Sequence, residues 1–297
     1  MAVGQVAVLG LIAGGIYGLF AVGIVLVYRG SGSLNFAQGE IGTLGLFVAY
    51  SLVTSHHLPW LVGAIGSIAV AGGLGAGFEA LFVRKMVDAT RLSVAVATIG
   101  LVSFLLAMEL RVFTASPRYV RPPIAGIGPS VFGVHVSPTQ LLSLVVTGLV
   151  AIGLAVVLKR TDFGLGVLAA AQDPTAARLV GVPLAKVSAF VWGAGAAAAA
   201  LGALLIEPTV GVFAPGFASE LYLKGLAAAV IGGLTSLPGA FVGGITVGIL
   251  EAGATRWFHP NGLPGVADLT IFVIVLATLL VRPSGILTGL RSQRVAA

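Results

Sequence analysis

Apolar runs separated by short polar breaks cover most of the chain, near 6–28, 40–55, 60–82, 94–113, 139–158, 187–206, 220–234, 240–257 and 265–281. A helix of about 20 apolar residues reaches across a hydrocarbon layer of roughly 30 Å. Lipid offers no hydrogen bonds, so each segment must satisfy its own backbone, and the pattern predicts helices. The expected fold is all-α, a polytopic transmembrane helix bundle of about eight or nine spans. Residues 1–297 form one membrane domain in this reading. The count is left open because 30–40 and 232–240 read either as breaks inside the membrane, giving two broken helices, or as loops joining neighbouring spans. The first run, Val6 to Val27, has no basic segment before it and reads as a retained span rather than a cleaved signal.

Composition supports a lipid solvent. Hydrophobic residues make up 58% of the chain and charged residues 9%, against about a quarter charged in soluble domains. The 43 glycines suit packed membrane helices, where small residues let backbones approach. Gly10, Gly14 and Gly18 share one face, and Gly73 with Gly77, Gly239 with Gly243, and Gly244 with Gly248 repeat the spacing. The net charge of +6 sits mainly at the ends of apolar runs, which reads as an orientation signal rather than as nucleic-acid binding. Arg29, Arg84, Lys85, Arg91, Lys159, Arg160, Arg178, Lys186, Arg282, Arg291 and Arg294 fall in one set of loops. Arg111, Arg118, Arg121, Lys224 and Arg256 fall in the other. The richer set is expected in the cytoplasm, with the C-terminus inside and the N-terminus outside.

Cysteine is absent, which excludes disulfides and thiolate chemistry. His56, His57, His135 and His259 fall in outer loops without a carboxylate set at ligand spacing, so no metal site is expected. Trp60, Trp192 and Trp257 are expected near span ends, as an aromatic belt. No Lys follows a Gly, so a phosphate-cradling G-x-x-x-x-G-K-[ST] loop cannot form. A nucleophile elbow and an H-E-x-x-H helix are also missing. No catalytic residue and no cofactor are expected, and any ATP hydrolysis belongs to another subunit.

Three features suggest transport. The two Gly/Ser/Pro-containing breaks could line a pathway, since broken helices at membrane depth are tolerated where they border a cavity. On that reading Asn35, Gln38, Thr235 and Ser236 lie on or beside it; on the other reading both breaks are plain turns. Glu40 and Glu251 are acids at or within spans, where a charge is costly and pairs or serves a function. Glu79 and Glu109 are expected to pair at the surface with Arg84 and Arg111. Third, the segment 159–186 holds a short capped helix. Asp173 suits the N-cap and Pro174 the first turn, followed by Ala176, Ala177, Arg178 and Leu179, with Gly181 past the end and Pro183 as a stop. It reads as a surface connector or as a docking helix for a cytoplasmic partner.

Ala176-Ala177-x-x-x-Gly181 followed by Pro183 resembles the Glu-Ala-Ala-x-x-x-Gly signature of ABC importer permeases, with Thr175 where the signature has Glu. Asn35-Phe36-Ala37-Gln38-Gly39-Glu40 looks like the Asn-Phe-Ala-x-Gly-Glu element of the branched-chain amino acid permeases. Gly232-Gly233-Leu234-Thr235-Ser236-Leu237-Pro238-Gly239-Ala240 is similar to a Gly-Gly-x-x-Ser-x-Pro-Gly-Ala stretch of the same family. The resemblance implies the permease subunit of an importer in the bacterial inner membrane. It implies ABC ATPase subunits docked on the helix at 174–180, a second permease subunit and a periplasmic solute-binding protein. Close relatives carry urea, short amides or other amino acids. A stand-alone secondary transporter or channel is the competing class. It would need coupling carboxylates deep in several spans.

Overall fold

The computed structural model describes residues 3–86, 89–258, 265–282 and 285. His259, Arg291 and Arg294 lie outside the described residues. All nine apolar runs are helical. The helices are α1 (Val3–Ser31), α2 (Gln38–Tyr50), α3 (Trp60–Leu81), α4 (Arg91–Phe113), α5 (Pro138–Arg160), α6 (Asp162–Gln172), α7 (Pro174–Leu179), α8 (Leu184–Val210), α9 (Phe217–Gly232), α10 (Leu237–Phe258) and α11 (Val266–Val281). A π-helical turn, Ser51–Ser55, prolongs α2, and a small antiparallel hairpin pairs Ser130–Val131 with Val134–His135.

Among the described residues, six helices are long and apolar enough to cross a bilayer: Val3–Ser31, Trp60–Lys85, Arg91–Phe113, Pro138–Arg160, Leu184–Val210 and Leu237–Trp257. The helices α2, α9 and α11 are shorter, with 13, 16 and 16 residues. The protein is an all-α polytopic membrane chain in which an apolar run does not always make a full-length helix.

The centre of the bundle is α1, buried on every side from Gly14 to Val27. It packs against α10, α8, α9, α5 and α6. The outer helices α3, α4 and α5 turn Leu61, Ile65, Phe104, Val145 and Leu149 outward. Such apolar surface is sensible against lipid.

Glycines make the tightest seam. A Cβ on Gly10 would lie 2.5 Å from Ile249 Cα, and one on Gly14 2.7 Å from Ile245 Cα. Opposite them, a Cβ on Gly244 or Gly248 would run into the backbone of Gly18 or of Gly10 and Gly14. The faces expected from the spacing therefore meet each other across α1 and α10. Gly239 and Gly243 instead face Gly232 and Ala228 of α9.

Gly73 and Gly77 are different, since a Cβ at either would touch nothing within 4 Å. Replacing each with Ala removes a helix-breaking residue without a clash. Gly73→Ala/Gly77→Ala is expected to leave stability unchanged or raise it by up to about 1 kcal/mol per site, with a thermal midpoint no lower than wild type. A clear drop in a thermal-unfolding measurement on the purified chain would refute the assignment.

Trp192 is a correction to the aromatic-belt expectation. It is fully buried, with its ring centroid 6.1 Å from that of Phe78. Gly75 of α3 makes room for it, because a Cβ there would lie 2.6 Å from the Trp192 carbonyl oxygen.

Candidate functional site

The first break begins at the αL residue Gly32 and ends where α2 starts. Gln38, the first residue of α2, reaches back into α1: its Nε2 donates to the Phe20 carbonyl oxygen at 3.4 Å. Phe20 stands eleven residues before the end of α1, about 16 Å at 1.5 Å per residue. The chain therefore leaves the end of α1, turns back, and starts α2 part-way down the bundle. The amide of Gln38 lies in a gap kept open by Gly23 of α1 and Gly195 of α8. Asn35 caps this re-entry, its Oδ1 accepting from the Ala37 N–H at 3.0 Å.

A second helix starts at nearly the same depth. After α8 the chain passes through Gly211 and Gly216, both with positive φ, and begins α9 at Phe217. The Ala218 N–H donates to Thr43 Oγ1 of α2 at 3.0 Å. The Ser219 hydroxyl donates to Glu40 Oε2 at 2.5 Å. Both Glu40 and Ser219 belong to first turns. The Glu40 carboxyl thus lies within the first turns of two helices, near their positive dipole ends, which offsets part of the cost of burying it. The sequence did not single out the 211–216 break, although Pro208, Gly211, Pro215 and Gly216 signalled it.

Glu109 is the residue that sequence reasoning misplaced. It is fully buried on α4 and faces Glu40, not Arg111. Residues two apart on a helix point in different directions, so a Glu109–Arg111 pair was geometrically poor from the outset. Glu109 lies against the Glu40 carboxyl and the Gly216 backbone N–H, but neither of its oxygens, nor Glu40 Oε1, meets full hydrogen-bond geometry among the described residues. The variant Glu109→Gln would supply an amide donor and remove a facing carboxylate. It is expected to leave folding intact and raise thermal stability by about 1 kcal/mol. A lowered midpoint for purified E109Q would show that Glu109 has a stabilising partner instead.

Glu79, Glu251, Glu220 and Glu207 each have a structural partner. Glu79 is buried, not at the surface, and takes Arg84 Nη2 at 2.7 Å. Glu251 accepts from Lys224 at 2.7 Å, and Lys224 also meets Glu220 at 2.7 Å. Glu207 accepts from the Val120 N–H at 2.9 Å, which pins the 114–129 segment onto α8. Sequence reasoning had not picked out that role. The described residues contain no group of three or more His, Asp or Glu that could hold a metal ion.

The break at 232–240 is not like the first. It is a tight turn between α9 and α10, with Gly233 at φ 100°. Ser236 Oγ accepts from the Gly239 N–H at 3.1 Å, as an N-cap does. Thr235 is exposed and lines a cavity of about 1160 Å³ shared with Arg29, Ser33, Arg178 and Gln172. Thr235 and Ser236 therefore sit at the end of the bundle where α1 finishes and α7 lies, apart from Asn35, Gln38 and Glu40.

The capped helix forms as its residues dictate. Asp173 Oδ1 accepts from the N–H groups of Thr175 and Ala176 at 2.8 and 3.0 Å. Pro174 opens α7, and Gly181 follows its end at φ 86°. The Val182 N–H closes the turn on the Ala177 carbonyl at 3.0 Å. Ala177 is buried, whereas Leu179 and Val180 are 85% and 78% exposed. Ahead of it, α6 continues from α5 through a Thr161 cap, so the whole connection is helical.

Comparison with known proteins agrees with this architecture. A protein-family model described as the branched-chain amino acid transport system / permease component matches residues 6–281. The high-affinity branched-chain amino acid transport system permease protein BraD of Pseudomonas aeruginosa is 32% identical over 295 residues, covering 95% of both chains. The permease protein LivH of Escherichia coli K12 is 30% identical, covering 94% of this chain and 93% of its own. A probable LivH of Methanocaldococcus jannaschii is 27% identical over 280 residues. A solved structure, PsaBC from Streptococcus pneumoniae in complex with Fab, shares the fold with a TM-score of 0.52 at 12% identity, covering 93% of this chain and 91% of that one. With the family match running through nearly every helix, the chain belongs to the branched-chain amino acid transport system permease family.

Proposed function

We propose that this chain is the translocation subunit of an ATP-driven importer for branched-chain amino acids in the bacterial inner membrane, and that α7 is its handle for the ATPase. A periplasmic solute-binding protein delivers the substrate, a second permease subunit completes the pathway, and two ABC ATPase subunits drive it. The observation that carries this reading is α7 itself. A six-residue helix with a full N-cap, a glycine stop and two bare apolar side chains is a rigid projection that a partner can cover.

The arginine-rich end of the bundle, with Arg29, Arg84, Arg91 and Arg178, faces the cytoplasm in this reading, and the C-terminus with it. The outer end carries the hairpin at 130–135. Asn35, Gln38 and Glu40 border the pathway at mid-bundle, and Thr235 and Ser236 border its cytoplasmic end.

The test is transport by the reconstituted complex. Vesicles holding the chain with its partner permease and ATPases should accumulate leucine when given a leucine-loaded binding protein and ATP. A non-hydrolysable ATP analogue should stop uptake. Accumulation of urea or an amide, but not of leucine, would change the cargo and keep the architecture. Uptake by the chain alone without ATP would refute the ATP-driven reading in favour of a secondary transporter or channel.

A further inference from the structure

The cavity at the α7 end of the bundle has an unusual lining. Segments from α1, α3, α4, α6, α7, α8 and the α9–α10 turn surround about 1160 Å³. Among the described residues they contribute four arginines, Arg29, Arg84, Arg91 and Arg178, and one carboxylate, Glu79. Glu79 is already committed: it holds Arg84 Nη2 at 2.7 Å, and Arg84 also donates to the Ala185 carbonyl at 3.1 Å. Arg29, Arg91 and Arg178 have no carboxylate partner among the described residues. Among the described residues, three arginines from three different helices therefore line one hollow without a carboxylate partner. Hydroxyls of Ser31, Ser33, Ser188 and Thr235 line the same space. Positive charge at a membrane surface is common. A walled cavity that gathers it from α1, α4 and α7 is a more specific arrangement.

We propose that this cavity binds a phosphate group, held by Arg29, Arg91 and Arg178. Guanidinium groups match phosphate oxygens with paired, charge-assisted hydrogen bonds, and the hydroxyls of Ser33 and Ser188 can complete the shell, Ser31 already donating to the Val27 carbonyl. The phosphate can come from an anionic phospholipid or from free phosphate. The surroundings favour the lipid. Leu81, Phe82 and Leu92 are 61%, 55% and 72% exposed on the α3 and α4 segments that wall the cavity, offering an apolar surface for acyl chains. Basic pockets between helices at a membrane face hold anionic headgroups by this combination. Occupancy would tie Arg178 of α7 to Arg29 of α1 and Arg91 of α4, bracing the short helix against the bundle.

The experiment uses the purified full-length chain in mild detergent. Wild type and the triple variant Arg29→Gln/Arg91→Gln/Arg178→Gln are titrated with phosphatidylglycerol, phosphatidylethanolamine and inorganic phosphate. Native mass spectrometry and thermal midpoints report binding. Wild type should retain phosphatidylglycerol in preference to phosphatidylethanolamine, and the triple variant should bind it roughly tenfold or more weakly. Because Arg29 is partly buried, the double variant Arg91→Gln/Arg178→Gln serves as the second test, and Arg256→Gln at the far end of the bundle should bind as wild type does. Stabilisation by inorganic phosphate alone, lost in the variants, would identify the free ion as the source. Equal phosphatidylglycerol and phosphate binding by wild type and both arginine variants would overturn the site.

Discussion

Gly244→Leu is expected to prevent the protein from accumulating in folded form. The reason is where a side chain would have to go. A Cβ at Gly244 would collide with the N and Cα atoms of Gly18 and lie 2.8 Å from the Gly14 carbonyl oxygen. These are backbone atoms in the middle of α1, the most enclosed helix of the bundle, so no rotamer change relieves the contact. The two helices would have to separate, and the neighbouring close contacts at Gly10, Gly14 and Gly248 would be lost together. Overpacking a core typically costs 1–3 kcal/mol, and a backbone collision at a closely packed helix seam should cost about 3 kcal/mol or more. Against a total stability of roughly 5–15 kcal/mol, that is enough to empty much of the folded population. Fluorescence-detected size-exclusion of a tagged chain gives the readout. The monodisperse peak should fall several-fold for Gly244→Leu and stay at wild-type height for Gly73→Ala/Gly77→Ala. A wild-type peak for Gly244→Leu would mean that α1 and α10 do not meet through these glycines.

The contrast between those glycines shows what a sequence can and cannot reveal here. Spacing identified both pairs equally, because the 4-residue step that builds a packing face is visible without a partner. Whether a helix lies against that face is a tertiary fact: Gly244 meets α1, while a Cβ at Gly73 or Gly77 would meet open space. The apolar runs were legible for the same reason, since lipid selects them one helix at a time. Capping is equally local, and the Asp173 to Gly181 signals placed α7 at 174–180, within one residue of its observed end at Leu179. Depth is not local. Nothing in 30–40 says that Gln38 reaches Phe20, and only the packed bundle shows that α2 and α9 start beside each other while 232–240 is an end turn. Glu109 marks the boundary. Its burial was partly readable, because Val94, Thr98, Leu105 and Glu109 recur at helical steps and form the buried face of α4. Its neighbour Glu40, 69 positions away in the chain, was not.

Leu179→Asp is expected to uncouple the chain from its ATPase while leaving it folded. Leu179 is 85% exposed, so the substitution disturbs little within the bundle, and the Asp173 cap and Gly181 stop that form α7 are untouched. In the proposed complex the same side chain enters a groove on the partner, where a carboxylate would be buried without a cation. Losing a well-packed interface anchor costs about 2 kcal/mol or more, and 1.4 kcal/mol is a factor of ten. Retention of the ATPase during co-purification should therefore fall roughly tenfold or more, with ATP-dependent uptake falling in step. Ala177→Trp attacks the other side of the same helix. Ala177 is buried, so a bulky side chain there must lift α7 from its seat, and it should lose uptake as well. The pair separates two roles: L179D tests what α7 touches, A177W tests how it is held. If both variants assembled with the ATPase and transported as wild type does, α7 would be a plain connector and the drive would have to reach the bundle elsewhere.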